Sequence, residues 1–216
     1  MEGMKRSNSH RRMMTPLLAL FALLGMGTAA WAEHPASGPK NGTVLIIRHA
    51  EKPPDNDSSP LLAPEGDARA QKYIAYFKNL KIGNFPGTPQ FVFATKESEK
   101  SNRPWLTVRP LVKALNLPHD NSIENDQFAR VVAQLGGGGF DGKTVLVCWH
   151  HGKIPPLLDA LGANHRTLLG ADEWPKYIYG WIVELQFDRD GNLKQSAIRN
   201  EHLMSDDTPE PPNTKP

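Results

Sequence analysis

In "VLIIRHAEKP" (44–53), Arg48, His49 and Glu51 follow four aliphatic residues, and a second histidine pair, His150 and His151, follows the apolar run "TVLVCW" (144–149). Burial asks for none of these side chains. Imidazole is largely uncharged and nucleophilic near neutral pH, whereas a guanidinium stays charged and offers two parallel donors. A neutral nucleophile beside a fixed cation suits attack on a centre that carries negative oxygens, phosphorus above all. In such reactions the protein contributes positioning and charge stabilisation. The plainer reading is a polar strand end, and the elements around the two histidine segments must decide between them.

"TVLIIRH" (43–49) and "KTVLVCWH" (143–150) are continuous apolar runs rich in β-branched residues, the pattern of strands covered on both faces. "QFVFATK" (90–96) reads as a further strand. Ala70, Tyr73, Ile74 and Phe77 fall on one face of a helix running from Pro64 to Leu80. Further helices are predicted over 105–117, started or kinked by Pro110, over 125–135 with Asn125 as a cap, and from 154 to 162. "YGWIVELQFDRDGNLKQSAIR" gives two strands around the turn signal Asp190–Gly191. Alternating strands and helices imply an α/β fold, a three-layer α/β/α sandwich with a mainly parallel sheet. Ligands of such folds bind beyond the carboxyl ends of the strands, where both histidine segments fall.

Composition bounds the rest. Residues 1–32 have a basic start (Lys5, Arg6, Arg11, Arg12), the apolar stretch "PLLALFALLGMG" and small residues at Ala30 and Ala32, the three-part pattern of an export signal cut before Glu33. The stretch is shorter than the roughly 20 residues of a membrane span, so no stable anchor is expected after cleavage. The expected location is the bacterial periplasm. Without the 4 basic residues and 1 acidic residue of that segment, 21 Lys and Arg face 22 Asp and Glu. A near-neutral chain offers no broad basic face for nucleic acid. Residues 33–204 suit one domain, and "SDDTPEPPNTKP" (205–216) is polar and Pro-rich enough to be expected disordered. The single Cys148, inside an apolar run, is expected to be a buried hydrophobe rather than a reactive thiol. The scattered His34, His119, His165 and His202 show no metal-ligand spacing, and neither a metal nor another cofactor is expected.

"LIIRHAEKP" resembles the signature of the histidine phosphatase superfamily, the group of phosphoglycerate mutases and histidine acid phosphatases. It is similar to small bacterial members with Arg-His-Ala-Glu. "LLAPEGDARA" resembles the family's Leu-x-x-x-Gly-x-x-Arg-Ala helix start, "NRPWLTVRPL" its Arg-x-x-x-Thr-x-x-Pro-Leu segment, and "VLVCWHHGKI" its second histidine strand. The resemblance implies a phosphoglycerate mutase-like fold and a phosphatase acting on a small phosphorylated substrate. It implies His49 as the nucleophile that becomes phosphohistidine, Arg48 and Arg103 as the phosphoryl clamp, and His150 as a third donor. His150 is preferred over His151 because Ile154 stands at the family's place four residues on, and Arg103 over Arg109 because Thr107 follows it at the family's distance.

Departures bear on the pocket. Eight positions separate Thr95 from Arg103, so either Ser98 or Ser101 takes the place of the family's serine, or the loop is longer. His151 stands where some acid phosphatases of the superfamily have an aspartate. The proton donor is left among Glu124, Asp126 and Glu51, each of which is also readable as a surface or capping carboxylate. His151 and Lys52 are further candidates for lining the pocket. An acid-poor site suits substrates with good leaving groups. The competing reading, from another functional class, is a binding protein that holds a phosphate group in the same pocket without turnover.

Overall fold

The histidine segments leave the carboxyl ends of two strands that lie side by side. In the computed structural model, which describes Met1, residues 38–205, Asp207 and residues 209–212, strand β1 (Thr43–Arg48) is followed by helix α1 (Pro64–Asn79) and the two-residue strands β2 (Lys81–Ile82) and β3 (Phe85–Pro86). Then come β4 (Phe91–Thr95), α2 (Arg103–Leu115), β5 (His119–Ile123), α3 (Phe128–Gly136), β6 (Thr144–Trp149) and α4 (Ile154–Ala160). α5 (His165–Leu169) and the hairpin β7 (Trp181–Phe187) and β8 (Leu193–Asn200) complete the chain. The main sheet has the order β5-β4-β6-β1-β7-β8. β5, β4, β6 and β1 pair in parallel, and β7 is antiparallel to both its neighbours. The expected export signal over 1–32 lies, apart from Met1, outside the described residues.

Alternation along β1 divides the core between the two faces of the sheet. Val44 and Ile46 pack with Val131, Leu135, Leu157 and Leu169 from α3, α4 and α5. Leu45 and Ile47 pack with Tyr73, Phe77, Val108 and Leu111 from α1 and α2. Every residue of β1 from Val44 to Ile47 is buried, as expected of a strand covered on both sides. Cys148 is a core residue, as its apolar run predicts, and Trp149, Trp174 and Trp181 are core residues as well. The layers are those expected: helices on both faces of a mainly parallel sheet.

Four elements have no sequence forecast. β5 reads "HDNSI" and is an edge strand with only Ile123 buried, so it has no apolar pattern. The β2–β3 pair is two residues on each side. α5 is five residues long, started by Asn164, whose side chain accepts from the Thr167 N–H at 2.9 Å. α2 begins at Arg103, two residues before the forecast, and runs through Pro110. The 125–135 helix instead starts as a 3₁₀ turn over Asn125–Gln127, with α3 following.

Asp207, within the segment 205–216, pairs with a buried arginine. Arg69 of α1, 1% exposed, reaches Glu51 at 2.6 Å and Asp207 at 2.5 Å and also bonds Glu201. Asp207 further accepts the backbone N–H groups of Leu203 and Met204, each at 2.8 Å. A polar segment has little apolar surface to bury, and the Asp207 carboxylate finds its partner instead in a charge-assisted bond to a buried guanidinium. Burial works to raise the Asp207 carboxyl, and the hydrogen bonds from Arg69 outweigh it and hold the group low. Glu201 goes the other way, pushed up to about 8 by burial against the pull of Arg69.

α1 is docked through Gly66. A Cβ there would stand 2.5 Å from the carbonyl oxygen of Glu51, and Ala63 N–H donates to that same oxygen at 3.0 Å. Gly66→Ala is therefore expected to destabilise the fold by about 1–3 kcal/mol, the usual penalty of overpacking against backbone. Gly139→Ala, where an added Cβ meets nothing within 4 Å, is expected to be close to neutral. Urea unfolding of both variants checks this, and equal midpoints would refute the close-packing role.

Candidate active site

β1 and β6 are in register from Thr43 opposite Thr144 to Arg48 opposite Trp149, and His49 N–H continues the ladder by donating to Trp149 O at 3.0 Å. The next residue of each chain segment is a histidine. The His49 and His150 rings accordingly meet edge to face, their centroids 5.2 Å apart. They open on a cleft of about 600 Å³, whose inner wall also carries Arg48, Arg103 and His151.

His49 is 2% exposed, and its Nδ1 lies 2.7 Å from its neighbour's carbonyl, Ala50 O. A carbonyl oxygen can only accept, so Nδ1 carries the proton and Nε2 keeps its lone pair. Burial, then the charge of Arg48 and the proximity of His150, push the His49 imidazole well below its ordinary range. His150 is driven down to about 4 by burial and then Arg103, and His151 also to about 4 by burial and then Arg48. All three rings are neutral at pH 7.

Arg48 is completely buried. Its Nη1 donates to the backbone carbonyls of Lys176 and Ile178, and its guanidinium carbon lies 4.0 Å from the centroid of the Tyr179 ring. Its Nε and Nη2 have no partner among the described residues. Burial lowers Arg48 to about 10, which leaves it charged at neutral pH. Arg103, at the first turn of α2, donates from Nη1 to Ser59 O at 2.8 Å, and its buried Nε is likewise without a partner among the described residues. Leaving a charged donor buried and unsatisfied is costly. Arg48 and Arg103 both line the cleft, and paired guanidinium N–H donors match phosphate oxygens.

Thr107 joins the two halves of the site. Its buried hydroxyl accepts from the Ala50 N–H and donates to Arg103 O, both at 2.8 Å. The backbone just after His49 is thereby fixed to the helix that carries Arg103.

The structure sorts the remaining candidates. Lys52, Ser98 and Ser101 line the cleft. The long 95–103 loop is drawn into a tight turn in which Ser98 and Ser101 exchange backbone hydrogen bonds at 3.3 and 3.2 Å. Ser101 Oγ also accepts from Arg103 N–H at 3.4 Å. Of the three proton-donor candidates, Glu51 is corrected: its carboxylate is taken up by Arg69 and it does not line the cleft. Position two residues after His49 did not bring its side chain to the cleft wall. Glu124 is exposed and pairs with Lys96 at 3.6 Å, away from the cleft wall. Asp126 does line the cleft, but it is 80% exposed and paired with Lys153 at 3.0 Å.

Several participants had no forecast. Asn125 lines the cleft and is held there because its carbonyl accepts from the Trp149 indole at 3.1 Å. Lys100 and Lys153 add positive charge to the rim. The segment 176–179 covers Arg48 with carbonyls and a tyrosine ring. Carbonyl oxygens belong to every residue type, so no composition or spacing could have marked Lys176 and Ile178. Tyr179, close before a strand, gave only an aromatic signal that fits a core equally well.

No protein-family model matches the chain, and no curated protein matches it. Among solved structures it is similar to the protein histidine phosphatase SixA complexed with tungstate, at 18% identity and a TM-score of 0.47, over 72% of this chain and 96% of that one. It is also similar to a mycobacterial glucosyl-3-phosphoglycerate phosphatase, at 14% identity and a TM-score of 0.46, over 73% of this chain and 97% of that one. A Plasmodium falciparum phosphoglycerate mutase is similar at 14% identity and a TM-score of 0.43, over 72% and 90%. Likeness at this distance gives no residue of the chain a role and names no substrate for it.

Proposed function

We propose that the chain is a phosphatase in which His49 Nε2 attacks the phosphorus of a small phosphorylated substrate. The observation that carries this reading is the fixed tautomer of His49, with Nδ1 donating to Ala50 O and Nε2 left with its lone pair, in a cleft lined by the buried Arg48 and the half-buried Arg103. The Nε2 lone pair forms an N–P bond while the bond from phosphorus to the leaving group breaks and its electron pair goes to that group. Water then attacks phosphorus, the N–P pair returns to His49, a water proton is released, and inorganic phosphate departs. Arg48 and Arg103 hold the phosphoryl oxygens, and the His150 N–H donates to a third as charge spreads in the transition state.

Asp126 is the one carboxylate on the cleft wall among the described residues, and it is exposed and ion-paired. A site with so little acid assistance favours substrates whose leaving group departs as a stable anion, such as acyl phosphates and aryl phosphates. Residues 1–32 act, in this reading, as a cleaved export signal that takes the protein to the periplasm. The recovered chain is expected to begin at Glu33 on N-terminal sequencing, and a cytoplasmic chain retaining Met1 would refute export.

The direct test is hydrolysis of para-nitrophenyl phosphate in EDTA. Wild type is expected to turn over and His49→Ala to lose at least about a thousandfold, as removal of a nucleophile does. Binding of vanadate without turnover at any pH would instead favour a phosphate-binding protein. The depressed imidazoles give a second check. Groups with lowered pKa values stay neutral until the pH falls towards those values, so His49 is deprotonated and competent across the neutral range. In the free protein the ring resonances of His49, His150 and His151 are expected to stay flat between about pH 5.5 and 8. A His49 midpoint near the ordinary 6.5 would contradict the neutral nucleophile.

A further inference from the structure

A second cavity adjoins the cleft. It is a groove of about 430 Å³ walled by Pro53, Pro54, Ala63, Tyr177 and Tyr179. Lys52 lines both spaces. Tyr179 stands at the boundary, with Arg48 over its ring and its centroid 6.3 Å from that of His49. A group attached to a phosphoryl at His49 therefore has an apolar surface within a ring's breadth.

The groove is built rather than incidental. Asp55 pairs with Lys52 on its own loop and with Lys176 on the opposite wall, the latter at 2.7 Å, so the two walls are laced together. The Pro53–Pro54 backbone is stiff by its chemistry, which lowers the ordering cost of binding. Tyr177 nevertheless keeps 70% of its surface exposed, one of four large hydrophobic residues so placed among those described.

Charge separates the two spaces. The cleft carries Arg48, Lys52, Lys100, Arg103 and Lys153 against Asp126 alone. The charged side chains of the groove are Lys52, Glu51, Asp55 and Glu65. Glu51 is neutralised by Arg69 and Asp55 by its lysines, while no cation pairs with Glu65 among the described residues. A second anionic group is unwelcome there, whereas an uncharged ring can stack on tyrosine and pack on proline.

We infer that this groove receives the leaving group, and that the leaving group is an uncharged planar ring, so that the substrate is a phosphorylated compound anionic only at its phosphoryl end. This rests on the reading of His49 as the nucleophile. Binding of non-hydrolysable phosphonates tests the groove independently of turnover. By calorimetry, 1-naphthylphosphonate is expected to bind wild type about tenfold more tightly than methylphosphonate, the scale of one good aromatic contact with added apolar burial. Tyr177→Ala is expected to lose most of that gap and Tyr177→Phe to keep it. Wild type is expected to turn over acetyl phosphate, which has no ring to place in the groove. Equal affinities in wild type, or a gap that survives in Tyr177→Ala, would overturn the groove. If the gap is present but no protein hydrolyses acetyl phosphate, the ring site stands and the nucleophile reading falls.

Discussion

The pairing of β1 with β6 is the constraint from which the site follows. Two parallel strands in register to Arg48 and Trp149 must release their next residues side by side, and those residues are His49 and His150. The pairing is held by central strands packed on both faces, so the edge-to-face contact of the two rings inherits the rigidity of the core. Thr107 extends that rigidity to α2, because a single hydroxyl serves both the backbone after His49 and the carbonyl of Arg103.

A buried arginine appears on each side of this frame, and the two are satisfied differently. Arg69 is surrounded by carboxylates and is fully occupied with structure. Arg48 is given two carbonyls and a tyrosine face, which are neutral partners. Carbonyls orient a guanidinium without cancelling its charge, so Arg48 is held in place with its attraction for anions intact. The same residue type is thereby neutralised in one place and left with its charge uncancelled in the other, and the difference lies in what its partners carry.

The central strands, the main helices and the inner site residues were legible because they rest on patterns with short range: apolar runs, helical spacing, and histidine or arginine at a strand or helix end. Arg48, His49, Arg103 and His150 fall together as their positions imply. Glu51 was misplaced because adjacency in sequence does not settle which way a side chain turns past a strand end, and its partner Arg69 lies on α1. β5 stayed hidden because an edge strand with one buried residue needs no apolar pattern. The cover over Arg48 could not be read at all, since it is made from main-chain oxygens that every sequence possesses.

The order in which the chain is made adds a consequence to the Arg69 cluster. Glu51, two residues beyond His49, leans on a guanidinium whose other partners include Asp207, 138 positions after Arg69. During synthesis the strands and helices can form in turn, but this cluster cannot close until position 207 has left the ribosome. A chain still growing, or one being threaded across a membrane, therefore carries Arg69 without its full set of counter-charges. The Arg69–Asp207 pair is among the last to be made, so the cluster that also holds Glu51 is completed only at the end of the protein's own assembly.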